Sequence, residues 1–272
     1  MYQLIAFDMD GTLLDSQKRI SESSRRAVQR AAEAGKTVIL NTGRDLAELE
    51  DYLGELPQVR YVNCVSGALV YDLKEKKVIG SRLLDCSLVR QLLALAAEEG
   101  AMPHILGMGS VVQRDQWERM EEFGMGVYKE MFRRVAKKWD DLPAWYAENP
   151  FEAAKVNIYH RDPRSRLRTE ERIRHRGLPV AVAEAETTSL EISAQGVDKG
   201  TGLECLCRYL GLPMSQTMVV GDAANDLEAL KKAGLAVAMG NAGEEIKAAA
   251  HVVVADCDHG GCAQAVEQYL LA

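Results

Sequence analysis

The sequence predicts an α/β fold: a doubly wound parallel sheet interrupted by an inserted second α/β domain. Three observations predict it. Short apolar runs alternate with stretches of helical spacing toward both ends of the chain, each run stops at a polar cluster, and the middle of the chain breaks this rhythm.

In order, Leu4-Ile5-Ala6-Phe7 is an unbroken apolar run, which suits a strand covered on both faces, and it gives way to Asp8-Met9-Asp10-Gly11-Thr12. Side chains alternate along extended backbone, so Asp8 and Asp10 are expected on the same side of the strand's carboxyl edge. Like charges that close call for a cation between them or a proton on one of them. Ser21 to Ala34 has helical spacing at Ala27, Val28, Ala31 and Ala32, with Ser21 as cap and Gly35 as stop. Val38-Ile39-Leu40 is a second strand ending in Asn41-Thr42-Gly43-Arg44, Asp45 to Leu53 a second helix, and Tyr61 to Val65 a third strand ending at Ser66-Gly67. A hairpin, Ala68 to Tyr71 and Lys77 to Arg82 around a charged turn, closes the block. Downstream come a helix from Lys199 to Tyr209, a strand Met218-Val219-Val220 running into Gly221-Asp222, a helix from Asp226 to Ala233, a strand Ala236 to Met239 and a last strand His251 to Val254. Such strand–helix repeats give a Rossmann-like parallel sheet, with expected order 3-2-1-4-5 and a sixth strand.

Residues 84–189 read differently. They hold all three tryptophans, a helix from Leu88 to Glu99, strand-like pieces at Met102 to Leu106, Val111 to Arg114, Lys155 to Tyr159 and Val180 to Ala183, and an arginine-rich helix opened by Asp162-Pro163 and ended by Gly177. They are expected to form an inserted cap domain, with residues 1–83 and 190–272 as the core.

The net charge of −7, from 33 basic and 40 acidic residues, argues against nucleic acid as the main partner, because phosphate backbones are held by a basic surplus. Cys64, Cys86, Cys205, Cys207, Cys257 and Cys262 lack zinc-type pairing and read as free thiols in a reducing compartment. No apolar run reaches membrane-spanning length and no charged leader precedes the first strand. The expectation is a cytoplasmic protein without a membrane partner. With no heptad and no strongly apolar exposed stripe, the pattern leaves monomer and homo-oligomer both open.

Open parallel sheets bind ligands beyond the carboxyl ends of their strands, where successive connections diverge. The polar clusters fall at those ends: Asp8 and Asp10 after the first strand, Thr42 after the second, and Gly221-Asp222-Ala223-Ala224-Asn225-Asp226 after the fourth. If the fourth strand lies beside the first, Asp222 and Asp226 arrive next to Asp8 and form an oxygen-rich site suited to Mg2+. One Asp-Gly alone is an ordinary turn former, but turns do not explain several such clusters in register. Lys199 sits at a helix start, the positive end of the helix dipole, and so calls for an anionic partner.

FDMDGTLLD, NTGR, the lysine of GVDKGTGLECL and VVGDAANDLEAL, in that order, resemble the four motifs of the haloacid dehalogenase-like superfamily of aspartyl-phosphate hydrolases. The ending VAMGNAGEEIKAAAHVVV resembles its Cof-type branch of sugar-phosphate and other metabolite phosphatases. The resemblance implies an Mg2+-dependent phosphomonoester hydrolase acting on small phosphorylated metabolites, sugar phosphates foremost, with a cap that sets substrate specificity. It makes Asp8 the nucleophile and Asp10 the acid and base. Asp8, the backbone carbonyl of Asp10 and Asp222 would hold the metal. Thr42, Gly43 and Lys199 would bind phosphoryl oxygens, Asn225 would touch phosphate or the metal's water shell, and Asp226 would steady Lys199 or metal-bound waters. The middle domain is similar to that family only in size and position. Three places depart from the family pattern: Asn41 stands where a small apolar residue is usual, Ser66-Gly67 where Asn-Gly is common, and His259, within Asp258-His259-Gly260-Gly261, where an acid is frequent.

Capture of an aspartyl-phosphate by a sugar hydroxyl would instead make the protein a phosphomutase or phosphotransferase, and its recognition by a partner protein would make it a phospho-aspartate switch. Against the switch stand Asp10, placed to hydrolyse the intermediate, and a cap able to exclude water. The arginines between Arg161 and Arg176 alternate with acids and read as a solvated helix face. Trp117, Trp139, Trp145 and Tyr146 read as cap core rather than pocket lining. His104 and His259 lack metal-ligand spacing and receive no role.

Overall fold

The structure is a computed structural model that describes residues 1–107 and 109–272. In chain order its strands are β1 (Leu4–Phe7), β2 (Thr37–Asn41), β3 (Tyr61–Cys64), β4 (Leu69–Asp72), β5 (Lys77–Ser81), β6 (Met102–Leu106), β7 (Ser110–Gln113), β8 (Ala136–Trp139), β9 (Lys155–Tyr159), β10 (Val180–Glu186), β11 (Ser189–Ala194), β12 (Thr217–Gly221), β13 (Leu235–Ala238) and β14 (Val252–Val253). The chain divides into two compact units: Met1–Arg44, Leu49–Ser81 and Asp198–Ala272 form one, Asp45–Glu48 and Arg82–Val197 the other.

The first unit is built on one eight-stranded sheet ordered β14-β13-β12-β1-β2-β3-β4-β5. The strands from β14 to β3 run parallel, in the expected order with its sixth strand, and the β4–β5 hairpin adds two antiparallel strands beyond β3. Every β1 side chain is buried, which is why the run is apolar without alternation. The helix Glu22–Glu33 starts as expected, its Ser21 hydroxyl accepting from the Ser24 amide, and buries Ala27, Val28 and Ala31. Register matters most for the site. Phe7 lies opposite Leu40 on one side and Val220 on the other, so β1, β2 and β12 end level and release Asp8, Asn41-Thr42 and Gly221-Asp222 at one edge.

The second unit carries a six-stranded sheet ordered β10-β11-β9-β6-β7-β8, antiparallel except for the β7–β8 pair. Period-two alternation sorts its faces. Ile105, Val156, Ile158, Leu190 and Ile192 pack with Leu88, Leu92, Leu142, Tyr146 and Ile173 from the covering helices. His104, Lys155, Asn157 and Tyr159 occupy the other register positions, on the opposite face. Sequence reading did not anticipate β8, β11 or the helix Leu142–Glu148. In β8 the residues Ala-Lys-Lys-Trp lack an apolar run, and the unit's edge strand β8 needs only one partner.

Tyr146 lies in the apolar core, whereas Trp139 is half-exposed and stacks on Trp145 with ring centroids 4.5 Å apart. The arginine-rich helix Pro163–His175 pairs along its length with neighbouring acids: Arg168 and Arg172 with Glu99, and Arg172 and Arg176 with Glu98. All six cysteines are free thiols, and no helix among the described residues is long and apolar enough to cross a membrane.

Candidate active site

Lys199 opens the helix Lys199–Leu210, which Asp198 caps by accepting from the Thr201 amide at 2.7 Å. That start points the lysine into the carboxyl edge of the sheet, where it is fully buried. Its Nζ donates to Asp8 Oδ1 at 2.6 Å, to Asp226 Oδ1 at 2.8 Å and to Asn225 Oδ1 at 3.3 Å. The anionic partner called for at the helix start is thus a pair of buried carboxylates. Asp226 is fixed from the other side as well, because its Oδ2 accepts from the amides of Asp222 and Ala223 at 3.1 and 3.2 Å. Asp222 Oδ1 accepts from the Thr12 hydroxyl at 2.7 Å. Gly11, at φ +82°, lets the chain turn against this carboxylate, and a Cβ there would overlap Asp222.

Sequence reading placed Asp10 beside Asp8 by strand alternation, and the structure corrects it. β1 ends at Phe7, so the alternation does not extend to Asp10. Its carboxylate is clamped by Arg44, with Nε to Oδ2 at 2.7 Å and Nη2 to Oδ1 at 2.8 Å, and by Lys18 Nζ at 2.7 Å. The repulsion between the two acids is relieved by giving each its own cations. Arg44 and Lys18 were not singled out from sequence; Arg44 was visible within NTGR, while nothing marked Lys18. Asn241 was also missed, and it ties the site's rim by donating to the Gly11 carbonyl at 2.8 Å and to Asp222 Oδ2 at 3.3 Å.

Thr42 and Gly43 lie on the loop after β2. Thr42 is buried, its amide donates to the Asn63 carbonyl at 2.8 Å, and its own carbonyl accepts from the Ser66 amide at 3.0 Å. Ser66 follows Val65, and both hold positive φ, 49° at Val65 and 56° at Ser66. A β-branched residue in that region is strained, and the turn it makes sets two amides, Val65 and Ser66, onto the loop's Arg44 and Thr42 carbonyls. The structure therefore gathers Asp8, Asp222, Asp226, Asn225 and Lys199 around one point and sets Thr42-Gly43 and Asp10 on the adjoining loops.

The electrostatics follow from three carboxylates facing one buried ammonium. Burial pushes the Asp8 carboxyl up to about 7; Lys199 opposes this, while Asp226 and Asp222 add to it. Asp222 is also raised, first by burial. Burial would lower the Lys199 pKa, but Asp226 and Asp8 outweigh it and the ammonium stays charged. At Asp10 burial favours the neutral acid, yet the Arg44 hydrogen bonds and charge, with Lys18, bring the carboxyl down to about 2.

The donor set fits a hard divalent cation. Asp8, Asp222 and Asp226 each bring a carboxylate oxygen within 4.8 Å of the others. Asp226 Oδ1 faces the Lys199 ammonium and its Oδ2 takes two backbone amides, whereas Asp222 meets only neutral side-chain donors and Asp8 turns only Oδ1 to Lys199, which favours Asp8 and Asp222 as the ligands. A cation there would favour the ionised form of both acids against the burial that raises them.

An acid-and-lysine cluster at the carboxyl edge of an open parallel sheet defines the catalytic core of a phosphatase-type hydrolase. The chain belongs to the haloacid dehalogenase-like hydrolases, whose family model matches residues 5–266. It is 25% identical to a 5-amino-6-(5-phospho-D-ribitylamino)uracil phosphatase of Bacillus subtilis, across 99% of this chain and 96% of that one. It is 27% identical to a pyridoxal phosphate phosphatase of Escherichia coli, across 99% of both chains. Among solved structures, a haloacid dehalogenase-like hydrolase from Bacteroides thetaiotaomicron superposes with a TM-score of 0.86 at 26% identity, covering 98% of this chain and 99% of that chain.

Proposed function

We propose that the protein is an Mg2+-dependent phosphomonoesterase for small phosphorylated metabolites, sugar phosphates foremost, working through an aspartyl-phosphate on Asp8. The observation that carries this reading is the buried Asp8 carboxylate, 2.6 Å from the Lys199 ammonium at the carboxyl end of β1, with the Asp222 and Asp226 oxygens beside it. The related phosphatases of phosphorylated cofactors and precursors support the substrate class.

An Asp8 oxygen attacks phosphorus in line as the bond to the leaving oxygen breaks, which divides a difficult hydrolysis into two easier displacements. Lys199 and the Thr42-Gly43 loop hold the non-bridging oxygens, whose charge persists through the transition state. Asp10 gives the leaving alkoxide its proton, then takes one from the water that attacks phosphorus and frees Asp8. Held by Arg44 and Lys18 it is ionised, ready for the second step; the first requires those cations to release it so that it can carry a proton. Asp8, Asp222 and the Asp10 carbonyl would hold Mg2+, which would supply the positive charge that lets one anion approach another.

Residues 82–197 are the proposed cap and specificity domain. In support, one face of their sheet carries buried polar side chains beside an apolar cluster: Lys155, almost wholly buried, bonds Glu191 at 2.5 Å, and Asn157 donates to the Tyr159 hydroxyl at 3.0 Å. The test is phosphate release from a panel of phosphorylated sugars, cofactors and nucleotides, with and without Mg2+, beside Asp8→Asn. Metal-dependent release lost in the variant supports the reading. Rearranged sugar phosphate without free phosphate would move it to a mutase.

A further inference from the structure

Asn41 and Asn63 are fully buried and lie opposite each other where β2 and β3 end. The Asn63 Nδ2 amide donates twice, to Asn41 Oδ1 at 2.6 Å and to the Lys199 backbone carbonyl at 2.8 Å. The remaining atoms, Asn41 Nδ2 and Asn63 Oδ1, have no hydrogen-bond partner. Two buried amides with a donor and an acceptor left over are worse for stability than two apolar side chains of like size. The surrounding chain nonetheless makes room for them: a Cβ at Gly202, one turn along the helix from Lys199, would overlap the Asn63 carboxamide. Costly buried polar groups that the packing accommodates call for a role other than stability.

Their position supplies one. Asn41 directly precedes Thr42, the Asn63 carbonyl accepts from the Thr42 amide, and the Asn63 side chain holds the first residue of the helix that carries Lys199. We propose that Asn41 and Asn63 are positioning residues for phosphoryl transfer, an amide tie that fixes the Thr42 loop against the Lys199 helix so that hydroxyl and ammonium meet the same phosphoryl group. This rests on the reading of Thr42 and Lys199 as its ligands. Phosphoryl oxygens are held by groups on two separate elements, and small misplacements of such groups slow reaction steeply.

The tie makes stability and activity move in opposite directions, which a merely structural pair would not do. In the double variant Asn41→Ala/Asn63→Leu the melting temperature is expected to hold or rise, because the orphaned polar atoms are gone. Its kcat/KM is expected to fall about 10- to 100-fold, and inhibition by orthovanadate, a probe of the phosphoryl site, to weaken by a similar factor. Each single variant should do most of this damage, since either breaks the same chain. Gly202→Ala keeps both amides but displaces Asn63, and should reproduce the kinetic loss should the double variant not fold. Retention of kcat/KM and of orthovanadate inhibition within about 3-fold of wild type, in whichever of these variants folds, overturns the proposal. So does a loss of activity in strict proportion to a loss of folded protein. Lys199→Met separates the two layers: if it stays active the underlying reading fails, and if it is dead while the asparagine variants work, only the tie is wrong.

Discussion

Replacing Lys199 by Met removes the one ammonium that two buried carboxylates share, and its cost follows from the geometry. Asp226 is wholly buried and Asp8 nearly so, with the ammonium 2.8 and 2.6 Å away. Leaving one partner of a buried ion pair without the other costs about 3–5 kcal/mol. The sign with pH is fixed by the carboxylates. Asp8 already binds its proton more tightly folded, at about 7, than its ordinary 3.8, so its contribution to stability declines as pH rises between those values. Without the ammonium, whose charge opposes the shift, Asp8 moves further in that direction. The variant's deficit in urea unfolding, without metal, should therefore be about 3–5 kcal/mol near pH 7.5 and clearly smaller near pH 4, where Asp8 is protonated. Activity should fall by about 10²–10³ or more, the scale for one lost donor to a developing anion. A deficit under about 1 kcal/mol at neutral pH, or one equal at both pH values, would refute the shared-ammonium picture.

On the proposed ligand set, Mg2+ would have to displace the Asp8 proton below about pH 7, so its affinity by calorimetry should fall about tenfold per pH unit there and level off above; a flat profile would remove Asp8 from the ligand set. His104 is buried neutral, its pKa lowered from 6.5 to about 3 first by desolvation and then by Lys155, so the stability it permits is full above 6.5 and lost as pH falls toward 3. The loss over that range is on the order of 5 kcal/mol. All three tryptophans lie in the second unit, so their fluorescence should report its acid unfolding, and His104→Gln should flatten the pH dependence. Arg44→Gln removes the first cause that holds Asp10 down, and should move the acid limb of the pH–rate profile upward; an unmoved limb would mean the clamp does not set the Asp10 proton.

The core was legible because its signals are local. Short apolar runs without alternation suit strands covered on both faces, and register then delivers Asp8, Thr42 and Asp222 to one edge. The clamp on Asp10 was not legible, since Lys18 contacts it from a turn with no periodic signal and Arg44 through a side chain whose direction no spacing fixes. The Asn41–Asn63 tie was half visible: Asn41 stood out as an anomaly, but its partner lies one strand away and 22 residues on. In the second unit β8 was hidden because two lysines fill a four-residue strand that pairs on one side only. Long-range pairing, not propensity, decides such strands.

The most direct test of the central claim is rapid acid quench of the enzyme turning over an ester labelled on phosphorus. Label should appear on the protein within the first turnover, be released by hydroxylamine as an acyl phosphate would be, and be absent from Asp8→Asn. A burst of phosphate with no label on the protein at any time, or label persisting in Asp8→Asn, would contradict nucleophilic catalysis by Asp8.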